Sequence, residues 1–242
     1  VSDRGRRVWL FDLDNTLHDA GAWVFAQMND TMRAYVVATL GVTPAEADAL
    51  RERYWRRYGS TMLGLVRHHD VRPAHFLLET HRFPGLEERV TGHRHDLAAL
   101  ARLRGRRIVL TNAPRAYALR VLGALGALRL FDDVLSIEDM TMFGHWRPKP
   151  DRRMLRAVAA RLGVPPSRCT LVEDSLENVL AARRVGMRAV WMQRFARRGA
   201  HAGPRVGRWS MAPAGVRVVR SLRALVAWDG GVDAGEDDGR PS

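Results

Sequence analysis

The sequence predicts an α/β protein: a Rossmann-like parallel sheet core flanked by helices, with an all-helical subdomain inserted near its start. Three observations carry this. Short apolar runs alternate with stripes of helical period, the pattern of a parallel sheet covered on both faces. The stretch between the first two runs is too long for a plain crossover. The first run also ends in two acids, Asp12 and Asp14, where an open parallel sheet binds its ligands.

The strand candidates are Val8–Leu13, Ile108–Asn112, Val134–Ile137, Thr170–Glu173, Arg188–Met192 and Val216–Val219. Met154, Leu155, Val158, Ala159 and Leu162 form one helical stripe, which Gly163 and Pro165-Pro166 stop. Tyr117, Val121, Leu122 and Leu125 form another, with Pro114 at a plausible first helical position. Residues 18–104 form the insert. Val24, Met28, Met32, Tyr35 and Val36 predict a helix ending at Gly41. Thr43-Pro44-Ala45-Glu46 is a capping box that opens the next, with Leu50, Tyr54 and Tyr58 at helical spacing. Ser221–Val226 predicts a short last helix. The expected division is therefore a core of residues 1–17 and 105–228, a helical cap of 18–104, and a disordered acidic tail of 229–242.

The 242 residues suit one α/β domain with an inserted subdomain. The single cysteine, Cys169, excludes a disulfide framework within the chain and suits a reducing, cytoplasmic setting. No apolar run approaches a membrane span, and no secretory segment is visible. Charge is uneven: residues 1–100 are net zero, 101–228 carry +17, and 229–242 carry −4. A basic half could draw in an anionic substrate or bind nucleic acid, or be a solvated arginine-rich surface on which the acidic tail docks loosely. Of the 39 basic residues only Lys149 is a lysine. A chain that uses arginine nearly everywhere has placed its one compact, rotatable ammonium in Arg147-Pro148-Lys149-Pro150.

Two carboxylates as close as Asp12 and Asp14 repel unless a cation sits between them or one takes a proton. The full string Phe11-Asp12-Leu13-Asp14-Asn15-Thr16-Leu17 resembles motif I of the haloacid dehalogenase-like hydrolases. Thr111-Asn112-Ala113 resembles motif II, Lys149 motif III, and Glu173-Asp174-Ser175-Leu176-Glu177-Asn178 motif IV, in the same order. The resemblance runs from about Val8 to Val226. It implies that Asp12 is a nucleophile forming an aspartyl-phosphate, and that Asp14 protonates the leaving group and then activates water. It implies Mg²⁺ as cofactor, held by the side chains of Asp12 and Asp174 and the backbone carbonyl of Asp14. Glu173 would act through a water or hold Lys149, and Asn178 would add a hydrogen bond one turn after Asp174. Lys149 would neutralise phosphoryl charge. Thr111 would donate to the phosphoryl group, with Asn112 and the Ala113 N–H assisting. An Asp at the second motif I position points away from the family's dehalogenases.

The insert resembles the family's C1 cap. Tyr58 to Leu65, with His68-His69, is similar to the cap of the pyrimidine 5′-nucleotidase branch, as are Thr111-Asn112-Ala113-Pro114 and Val172-Glu173-Asp174-Ser175. His18 stands where that branch usually has Tyr, and Arg115-Ala116 where a His is common. Tyr58, Thr61, Met62, His69 and His18 are the candidate substrate contacts. The alternative is that Tyr58 and Met62 are cap core and the His pair is exposed. The expected activity is Mg²⁺-dependent hydrolysis of a phosphomonoester, a pyrimidine 5′-mononucleotide first. A sugar phosphate or phosphoglycolate is the alternative, and a basic nucleic-acid-binding or regulatory protein is the rival of another class. The expected partner is a small phosphorylated metabolite, with no membrane and no nucleic acid.

Overall fold

The computed structural model describes residues 7–195 and 212–232. Val8–Phe11 is β1, buried throughout, as a strand covered on both faces must be. Five helices follow: α1 (Val24–Leu40), α2 (Pro44–Tyr58), α3 (Thr61–His69), α4 (Pro73–Thr80) and α5 (Leu86–Arg89). The helix α6 (Arg94–Leu100) leads to β2 (Arg106–Leu110), α7 (Arg115–Ala124) and β3 (Asp133–Leu135). A hairpin of β4 (Thr141–Met142) and β5 (His145–Trp146) precedes α8 (Arg152–Arg161), β6 (Cys169–Glu173), α9 (Leu176–Arg184), β7 (Arg188–Met192), β8 (Arg217–Val219) and α10 (Arg223–Val232).

Six strands form one sheet in the order β3-β2-β1-β6-β7-β8, and every pair is parallel. Leu10 pairs with Ile108 on one side and with Leu171 on the other. The order reverses at β1 and β6, so this neighbouring pair is the switch point where such sheets bind ligands. Gly105 admits the chain into β2: its φ is +98°, and a Cβ there would stand 2.1 Å from the Arg7 carbonyl oxygen.

The chain divides into two compact units, one of residues up to Asp19 and from Val90 onward, the other Ala20–Arg89. The helical unit is therefore shorter than the predicted 18–104. Residues 90–104 belong to the sheet unit because α6 is fastened there. Asp96 is buried and accepts hydrogen bonds from Ser221 Oγ (2.7 Å) and the Leu222 N–H (3.3 Å). At the other boundary the Asp19 N–H donates to the Thr91 carbonyl, 2.9 Å away.

Within the helical unit, α1 ends at Gly41 in the left-handed conformation, and Thr43 and Glu46 form a reciprocal capping box at the start of α2. Three strands end earlier than expected, β1 at Phe11, β2 at Leu110 and β3 at Leu135; β2, β3 and β6 start one or two residues earlier, at Arg106, Asp133 and Cys169, and β8 one later, at Arg217. Pro114 caps α7 rather than opening it. The last helix runs to Val232, beyond the expected start of the tail. Asp229 is buried, bonds Arg7 and accepts the Arg104 N–H at 3.0 Å, so its charge has partners that a solvated tail would lack. Residues 196–211 and most of the expected acidic tail, 233–242, lie outside the described residues. No described helix is long and apolar enough to cross a membrane.

Candidate active site

The site forms where β1 and β6 end side by side. Asp12 follows the last residue of β1, and its N–H still donates to the Val172 carbonyl at 2.9 Å. Glu173 closes β6 and Asp174 comes next. The chain then turns sharply after Asp14: Asn15 has φ +59°, and the Leu13 carbonyl accepts from Thr16 N (3.4 Å) and Leu17 N (2.9 Å). One carboxylate oxygen each from Asp12, Glu173 and Asp174 lies within 4.8 Å of the others.

Lys149 lies among these acids. Its Nζ donates to Asp12 Oδ1 and to Glu173 Oε2, both at 2.7 Å, and its side chain is buried. The other Glu173 oxygen, Oε1, accepts the Ser175 N–H at 3.2 Å. Glu173 is thus committed to Lys149 and to the turn that starts α9. Burial opposes the Lys149 charge, but Asp12 and Glu173 together hold its ammonium above its ordinary value. Burial, and then the neighbouring Glu173, push the Asp12 carboxyl up to about 7 against the pull of Lys149. Asp174 is also raised well above the usual aspartate range, first by burial and then by Glu173 and Asp12.

The donor set fits a hard divalent cation. It is all carboxylate oxygen, it is shielded from water, and one ammonium does not balance its charge. With Glu173 engaged elsewhere, Asp12 and Asp174 are the side chains suited to hold Mg²⁺.

The remaining positions divide. Thr111, at the end of β2, is buried, and its Oγ1 accepts the Ala113 N–H at 3.0 Å. The Ala113 N–H is therefore not available as an anion donor, which corrects the expectation for it. Asn112 also departs from its expected substrate contact. Its Nδ2 donates to the Lys149 carbonyl and its Oδ1 accepts the Lys149 N–H, each at 2.9 Å. Asn178 lies in the first turn of α9, but Asp174 stands outside that helix, so the two do not share a helical face. His18 was expected to contact substrate. Its ring is instead fully buried, with Nε2 2.8 Å from Asp14 Oδ1.

The expected cap contacts bond within their own unit. Tyr58 pairs with His68 Nε2 at 2.6 Å, and His69 Nε2 with the Tyr54 hydroxyl at 2.6 Å. Thr61 and Met62 are buried. The close approach of α3 to α2 explains this arrangement: a Cβ on Gly64 would lie 2.1 Å from the Tyr54 ring.

Two residues join the site without having been singled out for it. The Tyr117 hydroxyl donates to Asp14 Oδ1 at 2.6 Å, and Trp191 Nε1 donates to the Asp174 carbonyl at 2.8 Å. The available signal was chemical: a Tyr or Trp buried on an apolar stripe must place its polar edge on a partner.

Residues 7–186 match the family model of the haloacid dehalogenase-like hydrolases, so the chain belongs to that family. Among characterised relatives, it is 37% identical over 79 residues to validoxylamine A 7′-phosphate phosphatase of Streptomyces hygroscopicus subsp. limoneus, covering 33% of this chain and 35% of that protein. It is 24% identical to phosphate metabolism protein 8 of Saccharomyces cerevisiae, over 76% of this chain and 61% of that one. It is 27% identical to a phosphoglycolate phosphatase of Pseudomonas fluorescens, over 76% and 68%. The chain thus matches about a third and three fifths of the length of the first two. Its fold is shared by a HAD phosphatase from Thermococcus onnurineus, with a TM-score of 0.60, 23% identity, and coverage of 93% of this chain and 98% of that one. CbbY from Rhodobacter sphaeroides, solved with phosphate, gives a TM-score of 0.59, 22% identity, and coverage of 91% and 96%.

Proposed function

We propose that this chain is a Mg²⁺-dependent phosphomonoester hydrolase that works through an aspartyl-phosphate on Asp12. The observation that carries the proposal is the bridge of Lys149 Nζ between Asp12 and Glu173, at 2.7 Å to each, beside Asp174. Lys149 holds the nucleophile's Oδ1 and turns its carboxylate into a fixed orientation. That preorganisation is what attack in line on a phosphoryl group requires. Asp12 attacks phosphorus, and the departing alkoxide takes a proton from Asp14. Asp14 then takes a proton from the water that attacks the acyl phosphate, releasing phosphate and restoring Asp12. The Thr111 oxygen is held by the Ala113 N–H, so its own O–H is directed to another acceptor, a phosphoryl oxygen. Asp12, Asp174 and the Asp14 carbonyl would hold Mg²⁺, which would supply charge neutralisation at the phosphoryl oxygens.

The substrate class is a small phosphorylated metabolite. Relatives that the chain resembles are named as phosphatases of validoxylamine A 7′-phosphate, fructose-1-phosphate and phosphoglycolate. Those names favour a sugar phosphate or phosphoglycolate over a pyrimidine mononucleotide.

The test is phosphate release with and without Mg²⁺ from phosphoglycolate, fructose 1-phosphate, UMP, CMP and a purine monophosphate, with Asp12→Asn as control. Metal-dependent release that Asp12→Asn abolishes is the expected result. Release concentrated on UMP and CMP would restore the nucleotidase assignment. Release from none of them would remove the proposal.

A further inference from the structure

Asp14 receives two hydrogen bonds on the same oxygen. Its Oδ1 lies 2.6 Å from the Tyr117 hydroxyl and 2.8 Å from His18 Nε2. The donors come from separate parts of the sheet unit. Tyr117 is in the first turn of α7, 103 residues from Asp14. His18 follows the turn closed on the Leu13 carbonyl, where it also forms a β-bridge with Asp14. The His18 ring is fully buried, and its Nδ1 has no hydrogen-bond partner. A ring nitrogen pairs with a carboxylate oxygen only by donating, so His18 meets Asp14 through its Nε2–H.

We propose that His18 and Tyr117 are positioning residues that hold the Asp14 carboxyl by Oδ1 and so assign proton transfer to Oδ2. Two donors on one oxygen lower its basicity and fix the rotation of the group. The oxygen that exchanges the proton then keeps one place through both half-reactions. This rests on Asp14 being the acid and base of the proposed hydrolysis. The P–O bond to the alkoxide breaks as the Oδ2 proton passes to it, and the attacking water returns a proton to the same oxygen.

A leaving group that needs no acid separates this role from a merely structural one. Single-turnover release of the alcohol would be measured for para-nitrophenyl phosphate, and for whichever of phosphoglycolate, fructose 1-phosphate and UMP the wild type cleaves fastest. The variants are Tyr117→Phe, His18→Leu and His18→Gln, the last keeping an N–H donor, with circular dichroism confirming the fold. For Tyr117→Phe and His18→Leu, the loss on the alkyl ester is expected to exceed the loss on the nitrophenyl ester by about tenfold or more, and His18→Gln should recover part of it. If His18→Leu does not fold, Tyr117→Phe carries the comparison alone. Equal losses on both esters would overturn the positioning role while leaving the hydrolase intact. A wild type that cleaves no ester would overturn both.

Discussion

Asn112 and Lys149 are joined by a reciprocal pair of hydrogen bonds, side-chain amide to backbone, each 2.9 Å long. The ammonium that bridges Asp12 and Glu173 therefore hangs from a backbone fixed by the residue after Thr111. Three of the family's sequence motifs are mechanically one object: a shift at Asn112 reaches Asp12 through Lys149. Asn112→Ala is expected to lower turnover by about a hundredfold, because small misplacements of a reacting group are costly. It should cost about 1–3 kcal/mol of stability through the lost bonds. Steady-state kinetics and urea unfolding of the purified variant check both.

Lys149→Arg is not conservative here. The planar fork demands a wider space than an ammonium that sits 2.7 Å from two carboxylates in a buried position. Turnover is expected to fall by about a hundredfold or more. Lys149→Met should instead destabilise the metal-free protein by roughly 3–5 kcal/mol, since it leaves buried acids without their cation. Unfolding in EDTA distinguishes the two variants.

The raised Asp12 carboxyl has a pH signature. In the metal-free fold its carboxyl is pushed up to about 7, against 3.8 for an ordinary aspartate. Between these values the native state binds more protons than the unfolded state, so stability falls as pH rises. Asp174 is raised as well and acts in the same direction. In EDTA, the melting temperature is expected to drop from pH 5 to pH 8, and Asp12→Asn should flatten part of that slope. Mg²⁺ should raise the melting temperature more at pH 8 than at pH 5, because the cation competes with the same protons. A Mg²⁺ effect that is equal at both pH values would count against Asp12 as a ligand.

Asp229→Ala should destabilise the protein by about 1–3 kcal/mol, because it leaves Arg7 and the Arg104 N–H without their buried acceptor. Thermal unfolding measures the loss, while phosphate release per folded molecule should be unchanged.

The acids of the candidate site were legible in the sequence because their signal is local: an apolar run broken by Asp12 and Asp14 needs no knowledge of distant partners. Lys149 stood out for a different reason, its isolation among arginines. Tyr117 stayed hidden because an apolar stripe looks the same whether or not a hydroxyl at its edge meets an acid 103 positions away. Residues 90–104 were expected in the cap for a related reason: the contacts of Asp96 to Ser221 and Leu222, 125 and 126 residues on, leave no trace in the local pattern. The helical turn at Asp229 was missed because an acid among glycines looks solvated until its arginine partner from the start of the chain is in place.

A chain with one lysine also carries one side-chain amine, and here that amine is 1% exposed. Amine-selective reagents such as anhydrides or aldehydes should leave Lys149 of the folded chain untouched. Any opening of the sheet's ligand-binding edge would let a label in there. Mass spectrometry would then follow that opening directly, with the lysine that bridges Asp12 and Glu173 acting as its own reporter.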